Sequence, residues 1–166
     1  MKTRTIAFVL SMVCMGSTFG CDCKPTPAVK EAMRSSQLVI RGTILHGRHE
    51  KKLEQPQAYL DSLGQRNERR YFGPVHVNEY LILVKESFKG ASIGDTLIVR
   101  TGLDPITDCG LLLNIGEDFI VYAQAVKYGD AFYDLHLANT FTTSACTRTR
   151  PYSKKESRAI KRAGYP

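Results

Sequence analysis

Thr96-Leu97-Ile98-Val99-Arg100-Thr101 and Phe119-Ile120-Val121-Tyr122-Ala123 are the two runs whose reading decides the fold class. Both are short and rich in the β-branched and aromatic side chains that suit a pleated surface. Gly102-Leu103-Asp104-Pro105 ends the first, and Asn114-Ile115-Gly116-Glu117-Asp118 is a turn before the second. Between them lies a short apolar piece, Cys109-Gly110-Leu111-Leu112-Leu113. Toward the N-terminus, Val75 to Phe88 alternates through Val75, Val77, Tyr80, Ile82 and Val84, with a slip in register after Val77, and turns follow at Lys89-Gly90 and Gly94-Asp95. Leu38 to Leu45 is a further strand, in which Gly42 marks a bulge or bend. Toward the C-terminus, Tyr128-Gly129-Asp130 turns the chain, and Phe132 to Ala138 alternates with Phe132, Leu135 and Leu137 facing inward. Six or so short strands without crossover helices predict an all-β barrel or sandwich.

Helices are expected at the two ends of this β region. Thr26 and Pro27 form a cap and first-turn pair ahead of a helix over Ala28 to Ser35. Ser153 with Glu156 three residues later has the capping-box spacing, which starts a helix over 152–163 that Gly164 stops. Residues 48–70 are polar and charged and read as a loop insertion, with a short helix around Ala58 to Leu63.

Residues 1–20 carry Lys2 and Arg4, an apolar segment from Ile6 to Met15 and small residues up to Gly20, the tripartite pattern of an export signal. Cleavage there makes Cys21 the first residue and removes Cys14, leaving Cys21, Cys23, Cys109 and Cys146. An even set in an exported chain points to two disulfides in a secreted or periplasmic protein. Cys21 and Cys23, two residues apart, each reach across to Cys109 or Cys146, and closing loops of that length stabilises by roughly 3 to 5 kcal/mol per bridge. Two rival readings remain: a lipid anchor on Cys21, which would attach the protein to a membrane, and a four-thiol zinc site, although the paired C-x2-C spacings of such sites are absent.

Loss of Lys2 and Arg4 with the leader leaves 21 of the chain's 23 bases against 16 acids, a formal +5. That charge favours anionic partners such as polysaccharide. It is densest at Arg148, Arg150, Lys154, Lys155, Arg158, Lys161 and Arg162, either a solvated face or a polyanion-binding patch. Nucleic acid is not expected as a partner. Of the histidines His46, His49, His76 and His136, only His46 and His49 are close in sequence, and they would share a metal only on a helix. No Gly-rich phosphate loop, paired carboxylates or nucleophile-base signature can be placed, so neither an enzyme nor a cofactor is expected.

Taken in order, these pieces resemble the N-terminal domain of the tissue inhibitors of metalloproteinases, a branch of the netrin-like modules. The matching features are Cys21-x-Cys23 after the leader, Leu38-Val39-Ile40-Arg41 after a short helix, Phe88-Lys89-Gly90 before a turn, Cys109-Gly110, Phe119-Ile120-Val121-Tyr122-Ala123, and Cys146 leading into a basic helix. The resemblance spans 21–166 and implies an OB-fold-like, five- or six-stranded barrel with short N- and C-terminal helices. It implies bridges from Cys21 to Cys109 and from Cys23 to Cys146. It further implies that the α-amine and carbonyl of Cys21 chelate the catalytic zinc of a target metalloproteinase, the inhibitor holding no metal of its own. Asp22 would then enter the target's specificity pocket, with Cys23, Lys24, Ile106, Thr107 and Asp108 alongside. Asp22 departs from the small neutral residue usual in the family, so the target must offer a basic pocket or inhibition is lost. The alternative is a non-inhibitory netrin-like module that binds polysaccharide or a protein through its basic surface.

Overall fold

The two runs Leu38–Thr43 and Asp118–Ala123 pair side by side and antiparallel, and the rest of the sheet closes around them. The computed structural model describes residues 21, 23, 25–53, 75–106, 108–125 and 139–164. Within these, the elements are α1 (Val29–Ser35), β1 (Leu38–Leu53), β2 (Val75–Lys89), β3 (Thr96–Thr101), β4 (Asp118–Ala125), β5 (Thr140–Thr142), β6 (Arg150–Pro151) and α2 (Lys154–Arg162). Strands β1, β2, β3, β5 and β4 form a closed ring through the β1–β4 pairing, and β6 adds to β4. All pairings are antiparallel except β3 with β5. The result is a mostly β, barrel-like domain with two short helices, and none of the described helices is long and apolar enough to cross a membrane.

Period-two alternation fills the barrel. Leu38, Ile40 and Ile44 of β1, Tyr80, Ile82 and Val84 of β2, Leu97 and Val99 of β3, and Phe119, Val121 and Ala123 of β4 form one buried cluster. The residues between them on β1 and β4, Val39, Ile120 and Tyr122, point the other way and form a second cluster with Ala32 and Met33 of α1 and Ile160 of α2. Leu38–Ile40 and Phe119–Ala123 are continuously apolar because both faces of the sheet are covered there. Gly42 sits where β1 shifts register, and a Cβ there would lie 2.4 Å from Ile82 Cγ2.

The polar stretch 48–70 does not begin as a loop: β1 continues to Leu53, pairing Arg48 with Glu79 and Lys51 with Val77. This outer part of β1 is expected to be polar, because Arg48, His49 and Glu50 are exposed. The very short β5 and β6 were not foreseen. Helix α1 runs over Val29–Ser35, one residue shorter than expected, and its cap position is Ala28, which makes no side-chain cap bond, rather than Thr26. Ser153 does cap α2 by accepting from the Glu156 N–H, but the Glu156 carboxylate turns into the protein and does not close a capping box. The leader 1–20, the expected helix at Ala58 to Leu63 and the expected strand at Phe132 to Ala138 lie outside the described residues.

Charge is buried only with partners. Glu156 accepts from Tyr122 Oη at 2.8 Å and from Arg148 Nη2 at 2.8 Å, while Arg148 Nη1 donates to the Pro27 carbonyl at 2.7 Å. Burial alone would raise the Glu156 carboxyl, but the bonds from Arg148 and Tyr122 outweigh it and hold the group below the ordinary glutamate range. Asp118 is likewise held low, by Thr43 first and then Arg41 against burial. Glu79, which burial also pushes up, is brought down by Lys51 and Arg100. Arg100 is 1% exposed and bonds Glu79 through Nε at 2.9 Å, while its Nη1 and Nη2 have no hydrogen-bond partner among the described residues.

Glu79→Gln leaves Arg100 buried without a counter-charge and should cost about 3 kcal/mol, whereas Arg100→Met keeps Glu79 paired with Lys51 and should fall within about 1 kcal/mol of the parent; urea unfolding of both variants checks the contrast. All three carboxyls are depressed in the folded state, so their stabilisation is present above the unfolded value of about 4 and is lost as pH falls below it. Melting temperature should therefore hold from pH 7 to 5 and drop steeply below pH 4, and a flat acid limb would contradict the network.

Candidate functional site

The described residues from Cys21 to Ala28 form no helix or strand, and contacts from elsewhere in the chain hold them. Cys21 is bonded to Cys109 and Cys23 to Cys146, with Cα separations of 5.2 and 4.9 Å. The two bridges lie against each other, since all four Sγ atoms fall within 4.8 Å of one another. Among the described residues this is the one cluster of three or more metal-ligating side chains, but sulfurs bonded in pairs present no thiolate to a metal. Two bridges also fit an oxidising compartment.

The partner cysteines come from two loops that touch. Cys109 adopts a left-handed backbone with φ 56°, which turns the chain back after β3. Gly110 is required beside it, because a Cβ there would meet the Gly102 carbonyl at 2.3 Å. The Ala145 N–H donates to the Cys109 carbonyl at 2.7 Å, joining the loop after β3 to the one that carries Cys146.

The loop between Gly102 and Gly110 is locked from within. Asp108 accepts from the Leu103 and Asp104 N–H groups at 2.7 and 2.6 Å, Asp104 accepts from the Ile106 N–H at 2.7 Å, and the Gly110 N–H donates to the Asp104 carbonyl at 2.9 Å. Asn78 holds it from below by donating to the Gly102 and Leu103 carbonyls at 3.0 and 3.1 Å. At the tip, Ile106 is 69% exposed, and its carbonyl accepts the Cys21 backbone N–H.

The expected site residues therefore divide. Cys21, Cys23 and Ile106 are brought to one edge of the molecule, and the Asp108 carboxylate is engaged by its own loop. Asp22, Lys24 and Thr107 lie outside the described residues. Asn78 was missed; its only trace in the sequence is the slip in alternation between Val77 and Tyr80, where a polar residue turns inward.

The basic cluster divides as well. Arg148 is taken up by Glu156, Arg150 is half-buried and donates to the Arg148 carbonyl at 3.3 Å, and Lys161 pairs with Glu86 at 2.6 Å. Lys154, Lys155, Arg158 and Arg162 are exposed. Lys30 and Arg34 of α1, absent from the sequence reading of this patch, stand one helical turn apart and are exposed too. The histidines are not gathered: His49 faces Asn78 Oδ1 at 3.2 Å, His46 and His76 are exposed, and His136 lies outside the described residues.

No protein-family model matches the chain, and no curated protein gives a significant match.

Asn78→Ala removes both side-chain donors to the 102–108 loop and should cost about 1 to 3 kcal/mol. Hydrogen exchange at the Leu103 and Asp104 amides should speed up while the β4 amides keep their protection. Equal rates in parent and variant would show that Asn78 does not position this loop.

Proposed function

We propose that this chain is an exported inhibitor of zinc metalloproteinases, resembling the tissue inhibitors of metalloproteinases on an OB-fold-like, netrin-like barrel. Removal of the first twenty residues would free the α-amine of Cys21, which with its own carbonyl forms a five-membered chelate around the target's catalytic zinc and displaces the attacking water. The observation that carries this reading is the fixation of Cys21: bonded to Cys109, flanked by the Cys23–Cys146 bridge, and with its nitrogen held against the Ile106 carbonyl.

The chemistry follows from that fixation. A neutral α-amine has two N–H groups and one lone pair, so one N–H can keep the Ile106 carbonyl while the lone pair is directed at the metal. An α-amine titrates near 8, close enough to neutrality for zinc to displace its proton. Cross-links on both sides mean that little conformational freedom is lost on docking. Exposed Ile106 supplies apolar contact next to the chelating atoms.

Asp22 sets the specificity. A carboxylate entering an apolar pocket unpaired would lose several kcal/mol, which is several powers of ten in affinity. The target on this reading therefore has a basic or strongly polar pocket beside its zinc.

The test uses mature protein beginning at Cys21, its identity fixed by intact mass, against zinc proteases with apolar and with basic specificity pockets. Inhibition is expected for the basic class, and one alanine added before Cys21 should weaken it by about a hundredfold or more, the loss of some 3 kcal/mol of chelation. Asp22→Ala should shift preference toward apolar pockets. Below the amine's pKa, affinity should fall by about tenfold per pH unit as the proton competes with zinc. Failure of both the parent and Asp22→Ala to inhibit any protease would refute the proposal.

A further inference from the structure

Helices α1 and α2 lie next to each other over the outer face of β1 and β4, and between them runs an open groove of about 550 Å³. Four of its lining side chains are cations: Lys30 from α1, and Lys155, Arg158 and Arg162 from α2. Val29, Ala159 and Ala163 complete it, and no acid or aromatic side chain is among the lining residues. All four cations are exposed, and none has a carboxylate partner among the described residues. We propose that this groove binds an anionic polysaccharide, a site separate from the Cys21 edge and independent of whether that edge inhibits a protease.

Three observations select this ligand class. First, the cations are strung out: Lys155 and Arg162 are seven residues apart, about 10 Å along the helix axis, so a small anion would reach one or two of them and an extended, repeatedly charged chain would reach all four. Second, the described residues that line the groove include no aromatic side chain on which unpaired bases could stack, which disfavours single-stranded nucleic acid. Third, among the described residues the exposed large apolar ones, Leu45, Leu81, Ile93, Ile106, Leu112 and Ile115, all belong to the strands and loops of the barrel, and none that would enter a lipid surface lies on the two helices. The small residues Val29, Ala159 and Ala163 leave the floor shallow and apolar, which suits the face of a sugar ring.

The helix itself argues that the charge is there for a ligand. Lys154 and Lys155 occupy the first turn of α2, where the macrodipole favours acids, and the only acid of that turn, Glu156, is turned inward to Arg148. Neither lysine is placed to stabilise the helix.

The test measures binding of the full mature chain to immobilised sulfated polysaccharide and to a uronate polysaccharide, as a function of sodium chloride. Binding to either is expected at physiological ionic strength, weakening steeply with salt. The exposed-residue double variant Lys155→Glu/Arg158→Glu should bind about tenfold or more weakly. A control with the same change in net charge on the barrel, Arg48→Glu/Lys85→Glu, should bind like the parent, and circular dichroism should report native folding for both. An equal loss in the control would mean that net charge, not the groove, is responsible and would overturn the proposal. So would binding to anionic phospholipid vesicles with none to either polysaccharide.

Discussion

A piece of chain with no backbone ladder of its own is fastened to the barrel mainly by side chains, and the candidate site depends on that. Cys21 is tied to Cys109, Cys23 to Cys146, and the Pro27 carbonyl accepts from Arg148. Cys146 and Arg148 are two residues apart, so one short segment grips the N-terminal piece twice, covalently and by a charged hydrogen bond. The bridges close sequence separations of 88 and 123 residues, and each is worth about 4 to 5 kcal/mol in the loop-entropy model. The loops overlap, so the total is less than the sum. Even so it is comparable with the 5 to 15 kcal/mol by which a domain of this size is stable, which makes the cross-links part of the fold and not an addition to it.

The other end of the chain of causes is β4. Its inner residues Phe119, Val121 and Ala123 fill the barrel, and its outer residues Ile120 and Tyr122 carry the helices. Along its free edge, β6 pairs at Phe119 and Ile120 and β5 at Gln124 and Ala125. The gap between them falls at Tyr122, whose N–H donates to Thr149 Oγ1 at 2.9 Å and whose carbonyl accepts from the Thr143 and Thr149 hydroxyls at 2.9 and 3.1 Å. Threonine hydroxyls thus replace a missing strand residue, and no buried backbone group of Tyr122 is left unpaired. The same tyrosine reaches Glu156 through its hydroxyl, whose ionisation burial and then that carboxylate push well above the usual range. Helix α2 is therefore fixed to β4 by a proton that stays on the phenol.

How far the sequence discloses this depends on the range over which each feature is decided. Leu38–Ile40, Thr96–Thr101 and Phe119–Ala123 are legible because alternation, β-branching and bounding turns are local, and so is the Ser153 cap. Strands β5 and β6, three and two residues long, have no local signal; they exist because β3 and β4 present edges to them. The extension of β1 past Leu45 is hidden for another reason: its side chains there are charged and solvated, and only the partner strand, with Lys51 paired to Glu79, shows that the backbone is in a ladder. At the candidate site, Cys21 and Cys23 announce themselves, whereas Asn78 and Lys30 act through contacts with segments distant in the chain. Arg148 looked like one surface base among seven, and only its distance to Glu156 removes it from that set.

That removal sharpens the meaning of the charge that remains. The buried or half-buried carboxylates of Glu79, Asp118 and Glu156 are each matched to a base by the barrel itself. Helix α2 is different: Lys154, Lys155, Arg158, Lys161 and Arg162 give like-charge pairs at three- and four-residue spacing, each unfavourable by about 0.2 to 0.5 kcal/mol. Burial of Ile160 in the second cluster and the Glu156 contacts hold the helix in spite of this repulsion. A sequence shaped for stability alone would alternate acids among those bases. A polyanion laid along them would relieve the repulsion and bind the folded helix in preference to the unfolded one, so occupancy of the groove and stability of α2 must rise together.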